Sequence, residues 1–304
     1  MTDFIGDIHG HVDELNQLLI KLGYEHKNGS FCHPERKVLF VGDYIDRGPK
    51  IKETLEIVKS MVDSGNAIAL MGNHEYNAIC FHYEEKAKGG HLRKHSIKNI
   101  LQHCKTLYAF KHDQEESDYY IDWFKTLPLW YETDEFRAVH ACWDENHINY
   151  LKTIMPNARL TDSFILQSVI EGTTFNHAIE EVLKGKELAM PLGEFFEDKY
   201  GTKRTEFRAK FWIDPKVSTY YQMSLFPLES LPHEQMDTSK LKSDYHYAEH
   251  EKPLFFGHYW FEGKPSVIRH NICCLDYSVA NKGHLVAYRF DGEGELDSGK
   301  LVWV

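Results

Sequence analysis

Six side chains that donate oxygen or nitrogen, Asp7, His9, Asp43, Asn73, His140 and His258, follow closely on short apolar runs. Each run reads as a buried strand, so each donor falls near a strand's carboxyl end, the edge at which α/β sheets bind ligands. No thiolate joins the set, which suits manganese, iron or zinc, and six donors spread over five strand ends are too many for one tetrahedral structural zinc. Two ions sharing a carboxylate would use every donor, and Asp43, in the middle acidic loop, is the natural bridge. Ions about 3.5–4 Å apart can bind one hydroxide and polarise one phosphoryl group.

The stretch Gly42-Asp43-Tyr44-Ile45-Asp46-Arg47-Gly48 puts two carboxylates and a guanidinium into seven residues. Taken alone it is equally readable as an acidic turn with Asp46 and Arg47 paired at the surface.

The elements that must position these residues are legible in turn. Phe4-Ile5 precedes Gly6-Asp7-Ile8-His9-Gly10, Val38 to Val41 precedes Gly42, and Ala67 to Met71 runs into a polar turn, Gly72-Asn73-His74-Glu75. Val12, Leu15, Leu18, Leu19 and Leu22 recur at helical spacing after the first loop, and Ile51, Leu55, Val58 and Val62 do so after Pro49. Crossover helices make the three strands parallel, so their loops converge on one edge. Phe136 to Val139 leads to His140, and Leu254 to Phe256 leads to Gly257-His258. The tail runs Ile272 to Leu275, Leu285 to Phe290 and Leu301 to Val304 alternate as antiparallel strands and are expected in a mostly antiparallel second sheet.

Two stretches, about 77–130 and 144–252, read as insertions in a single domain spanning 1–304. The first carries many histidines, lysines and an arginine, either as a wall or lid for an anionic substrate or as a solvated helix face.

The 304 residues are enough for a full core. With 35 Lys+Arg against 46 Asp+Glu, a net charge of −11 argues against general binding to nucleic-acid backbones and fits a metal-binding acidic centre. Nineteen histidines supply ligands and proton carriers. The six cysteines show no Cys-x-x-Cys spacing and read as reduced, buried thiols. Neither a signal peptide nor an apolar run of membrane-spanning length is visible, so a cytoplasmic setting without a membrane partner is expected.

The motifs Gly-Asp-x-His-Gly, Gly-Asp-x-x-Asp-Arg-Gly and Gly-Asn-His-Glu, followed by Val-His and Gly-His, resemble those of the calcineurin-like metallophosphoesterases of the phosphoprotein phosphatase type. The resemblance implies a four-layer α/β/β/α sandwich with two mixed β-sheets. It implies that Asp7, His9 and Asp43 hold a first divalent metal, and Asp43, Asn73, His140 and His258 a second, with manganese expected and iron or zinc as alternatives. A metal-bridging hydroxide would attack phosphorus in line. His74 would protonate the departing alkoxide, Asp46 would hold its ring, and Arg47 would bind phosphoryl oxygens together with Asn73.

The motifs cover roughly residues 1–80, with anchors at 139–143 and 256–260. The family's second phosphate-binding arginine has two candidates, Arg208 and Arg204. Cys274-Leu275-Asp276-Tyr277 resembles the bacterial branch, which includes diadenosine tetraphosphate hydrolases, and Asp276 is a candidate partner for a metal-ligating histidine. The expected activity is hydrolysis of phosphate monoesters, as in serine/threonine protein phosphatases, on a phosphoprotein or a small phosphate ester or nucleotide. Hydrolysis of dinucleoside polyphosphates or nucleic-acid phosphodiesters is the alternative. A catalytically silent scaffold is a further one, which would have no chemical reason to keep His74, Asp46 and Arg47.

Overall fold

The computed structural model describes residues 1–85, 89–191, 194–197, 203–226, 231–241 and 243–304. Parts of both expected insertions therefore lie outside the described residues.

The three expected parallel strands form as Thr2–Ile5, Lys37–Phe40 and Ala67–Ala69, with Ile5 beside Phe40 and Phe40 beside Ala69. Helices Val12–Lys21 and Ile51–Asp63 make the crossovers, each burying the apolar face that its spacing announces. A second sheet runs Ile272–Cys274, Leu254–Phe256, Arg137–Val139, Trp130–Glu132; its first three strands are parallel and the last is antiparallel.

Strand alternation builds the layers. Phe4 and Leu39 point one way, into a core shared with Phe136, Phe255 and Leu275 between the sheets, where the Phe4 and Phe255 rings stack at 3.7 Å. Ile5, Val38 and Phe40 point the other way and share a core with Leu15, Leu18, Leu55 and Val58 of the crossover helices. The arrangement is a mixed α/β one with helices outside packed mixed sheets. Among the described residues no helix is long and apolar enough to cross a membrane.

Two expectations need correction. The tail does not make a separate antiparallel sheet: His284–Phe290 pairs antiparallel with Thr2–Ile5, and Leu301–Trp303 pairs with His284–Phe290, both in the first sheet. Ile272–Cys274 instead lies parallel to Leu254–Phe256 in the second. Alternation fixes which face is apolar but not which edge a strand joins. Likewise Gly72-Asn73-His74-Glu75 is not a free turn. Gly72 is the N-cap of helix Asn73–His82, and Glu75 reaches back to the Gly72 N–H.

The first stretch expected as an insertion contains helices Ile97–Ala109 and Gln114–Lys125. In the second, the helical signal from 161 to 183 divides into Asp162–Ser168 and Thr174–Lys184.

Candidate active site

The five loops meet at the expected sheet edge, with Asp43 at their centre. Its Oδ2 lies 3.5 Å from His9 Nε2 and 3.9 Å from His74 Nε2, and its Oδ1 lies 3.4 Å from His140 Nε2. Asn73 Oδ1 lies 3.1 Å from His140 Nε2 and 2.8 Å from His258 Nδ1. Asp7 joins through Oδ2, which accepts the His258 backbone N–H at 3.0 Å. The six expected ligands are thus brought together.

The backbone is bent to do this. His9, Asp43, Asp46, Arg47, His258 and Trp260 all have left-handed φ, between 36° and 64°. Such a conformation costs a non-glycine residue roughly 1–2 kcal/mol. Strain of this kind clusters at functional sites, which makes this cleft the candidate. Two glycines make room for carboxylates: a Cβ on Gly72 would stand 2.2 Å from Asp43 Oδ1, and one on Gly257 1.9 Å from Asp7 Oδ1. The loop carrying Asp43 is held by Glu75, which is fully buried. Its Oε2 accepts from Asp43 N and Gly72 N, and its Oε1 from Tyr44 N and Ile45 N.

Tautomers follow from the outer bonds. His9 Nδ1 faces the Ile45 carbonyl at 2.8 Å and His140 Nδ1 faces that of Val41 at 2.9 Å. Each Nδ1 therefore donates its proton outward, leaving the Nε2 lone pair directed at Asp43. Burial pushes His9 down to about 3 despite Asp43, lowers His140, and together with Arg208 takes His258 well below its ordinary value. The lowered values favour the neutral form of these rings, the form in which an imidazole can bind a metal.

His74 behaves oppositely. Burial would lower it, but Asp43 and the bond to Asp46 outweigh burial and raise it. His74 Nδ1 lies 2.5 Å from Asp46 Oδ2. Asp46 is held below the usual carboxylate range: burial opposes this, and the bonds from His103 and His74 overcome it. The cleft thus separates neutral imidazoles from one poised to carry a proton.

The donor set fits divalent cations. His9, Asp43 and His74 form one group of converging ligand atoms, and Asp43, His140 and His258 another, each within 4.8 Å. Asp7 Oδ1 is buried without a hydrogen-bond partner among the described residues. Burial, Asp276 and Asp43 raise Asp7 well above its ordinary value, a crowding of carboxylates that cations would relieve. A third group, Asp144, His147 and Glu181, already holds a cation of its own, the Lys186 ammonium 3.1 Å from Asp144.

Arg47 is exposed and lines a cavity of about 620 Å³ with Asp46, Asn73, His74, Arg93 and Trp260. A neighbouring cavity of about 550 Å³ is lined by Asn73, Arg93, Arg208 and His258. Arg208 is half-buried, its Nε has no hydrogen-bond partner among the described residues, and Nη2 reaches Glu187 at 3.2 Å. Arg204 is exposed in the Lys203–Arg204 strand and lines neither cavity. Asp276 does not orient a histidine ring. Its oxygens accept the backbone N–H groups of Trp260 and Ser278, which fixes the turn after His258 instead.

Sequence reasoning gave three contributors no specific role: Glu75, and Arg93 and His103, which it placed only among the basic residues of the 77–130 stretch. Glu75 had a signal, since a Glu at the third helical position is the second half of a capping box. Arg93 binds Asn77 Oδ1 and Gln102 Oε1, both at 2.7 Å, so the partners it finds among the described residues are neutral amides. His103 meets Asp46 across 57 positions, with no local pattern to announce it.

A family model described as calcineurin-like phosphoesterase matches residues 2–167, more than half of the chain. A bis(5'-nucleosyl)-tetraphosphatase PrpE [asymmetrical] from Halalkalibacterium halodurans is 34% identical over 180 residues, which is 57% of this chain and 67% of that protein. A symmetrical bis(5'-nucleosyl)-tetraphosphatase from Vibrio parahaemolyticus is 35% identical over 141 residues, 46% of this chain and 44% of its own length. The matched stretch thus spans about two thirds of the first relative and less than half of the second. Among solved structures, a protein serine/threonine phosphatase from Saccharomyces cerevisiae covers 100% of this chain and 78% of its own at 14% identity and a TM-score of 0.49, too loose a likeness to bear on substrate. With the family model matched across all three loop motifs, the chain belongs to the calcineurin-like phosphoesterase family and is a hydrolase of phosphate esters.

Proposed function

We propose that this chain hydrolyses phosphate monoesters whose leaving group is an alkoxide, in a centre that holds two divalent cations. The observation that carries the reading is the 2.5 Å contact between His74 Nδ1 and Asp46. An imidazole kept protonated beside a phosphoryl site serves a leaving group that needs a proton.

Asp7, His9 and Asp43 would hold one ion, and Asp43, Asn73, His140 and His258 the other; their nitrogen and oxygen donors suit manganese, with iron or zinc also compatible. When bound, the ions would polarise water and neutralise phosphoryl charge. Arg47 presents a planar fork of donors to two phosphoryl oxygens, Asn73 adds its amide N–H, and Arg208 approaches from the His258 side. His74, its ring fixed by Asp46, turns Nε2 toward the cleft and gives its proton to the departing oxygen. Asp46 stabilises the ring while the proton is on it.

A second reading, hydrolysis of dinucleoside polyphosphates, is favoured by the two cavities that share Arg93 and Asn73, with Arg47 in one and Arg208 in the other. Such a cleft has cationic groups for a chain of phosphates, and the names of the relatives point the same way.

The test loads the full chain with manganese and assays an alkyl phosphate, a phosphopeptide, an aryl phosphodiester and a dinucleoside tetraphosphate, alongside His74→Asn. The main reading expects the alkyl and peptide monoesters to turn over best, with His74→Asn slower by about 10²–10⁴-fold on them. Preference for the tetraphosphate, with little effect of His74→Asn, would overturn it in favour of the second reading.

A further inference from the structure

Asp46 has two oxygens, and only Oδ2 faces His74. Its Oδ1 lies 2.9 Å from His103 Nδ1 and accepts from Thr106 Oγ1 at 2.6 Å, while Thr106 Oγ1 in turn accepts the Asp46 backbone N–H at 3.1 Å. His103 and Thr106 are three positions apart on helix Ile97–Ala109, so they present one face of it to the loop. All of these groups are buried: Asp46 is 3% exposed, His103 5% and Thr106 6%. The side-chain Oδ1 and the backbone N–H of Asp46 thus both find their partners on one turn of the insertion.

The far side of the His103 ring is also held. His103 Nε2 lies 3.3 Å from His82 Nε2, and two ring nitrogens at that distance share one hydrogen. Burial pushes His82 down to about 4, so it is a neutral partner. Phe81 packs its ring 5.2 Å from that of His103. On the other side of the ring, His103 Nδ1 faces the Asp46 carboxylate, which can only accept, and donates to it.

We propose that His103 is a positioning residue for proton donation to the leaving group: together with Thr106 it holds one oxygen of Asp46, so that the other stays aimed at His74. The inference rests on the reading of His74 as the acid. It also gives the insertion a task beyond lining the cleft, since Asp46 sits in a left-handed backbone conformation that needs holding. A packing residue would affect all substrates alike through stability. A positioning residue affects those substrates whose leaving group must be protonated.

The experiment measures kcat and KM of the manganese-loaded chain on an alkyl phosphate and on 4-nitrophenyl phosphate, whose leaving group departs without a proton. Expected for His103→Leu is a kcat loss of about 10–100-fold on the alkyl ester, a several-fold smaller loss on the nitrophenyl ester, and unchanged KM. His103→Asn, whose amide N–H can replace Nδ1–H, restores most of the alkyl activity. Thr106→Val, which removes the other donor to the same oxygen, lowers the alkyl-to-nitrophenyl ratio in the same direction and supplies the readout if His103→Leu does not fold. Equal losses on both esters, or no loss, beside a His74→Asn variant that is selectively slow on the alkyl ester would overturn this inference alone. A His74→Asn variant unselective between the esters would overturn it together with the acid assignment.

Discussion

Replacing Glu75 with glutamine changes one oxygen to an amide nitrogen and leaves shape and volume almost untouched. In the native loop the two carboxylate oxygens accept four backbone N–H groups, from Asp43 at 2.9 Å, Gly72 at 3.0 Å, Tyr44 at 2.8 Å and Ile45 at 3.3 Å. Glutamine can accept two of them, and its own N–H groups then face the other two. Each buried donor left without an acceptor costs about 1–3 kcal/mol, so two cost roughly 2–6 kcal/mol. At about 2 °C per kcal/mol for a chain of this size, the melting temperature should fall by about 4–12 °C. The same loop carries Asp43, so manganese affinity measured by titration calorimetry should fall about 10-fold or more. A Glu75→Gln protein that melts within a degree of wild type and binds manganese equally well would refute the idea that Glu75 shapes the loop.

The proton on His74 predicts a pH limb: kcat on an alkyl phosphate should fall as pH rises through a value above 6.5, and a pH–rate profile of His74→Asn should lack that limb. Asp46 is depressed below 3.8 in the fold, so its stabilisation is present above that pH and is lost as pH falls below it; Asp46→Asn should show a shallower acid-unfolding curve in that range. Manganese at 100 times its dissociation constant should stabilise the chain by about 2.7 kcal/mol in a thermal melt. Asp7→Asn should reduce that gain, because the unpaired Oδ1 is where an ion would relieve the crowded carboxylates. Arg93→Ala should slow dinucleoside tetraphosphate hydrolysis about 10-fold more than alkyl phosphate hydrolysis, read as the ratio of kcat/KM values; an unchanged ratio would remove Arg93 from the substrate site.

The parts of the fold legible in the sequence were those set by short-range pattern. Four apolar residues closed by Gly42 and followed by helical spacing leave little besides a strand, a loop and a crossover, and three such units order themselves. The convergence of Asp7, Asp43 and Asn73 then follows from the first sheet, while His140 and His258 reach the same cleft from neighbouring strands of the second. Partner choice over long range was not legible: the alternation in Leu285 to Phe290 is the same whether the strand borders Thr2–Ile5 or forms a sheet of its own. Asp276 illustrates a second limit, since a carboxylate near a histidine in sequence can as well cap a turn, and here it binds the N–H of Trp260. His103 illustrates a third. Its polar face on an amphipathic helix looks solvated until the loop it meets is known.

Because Thr2 pairs with Phe290, the strand that ends in the Asp7 loop is bordered on one side by residues synthesised long after it. His258 also arrives long after the first three loops. A nascent polypeptide emerging from the ribosome would therefore hold Asp7, His9, Asp43 and Asn73 on a half-built sheet, with His258 still to come. The full set of candidate ligands would therefore come together only after His258 has been made and His284–Phe290 has joined the first sheet.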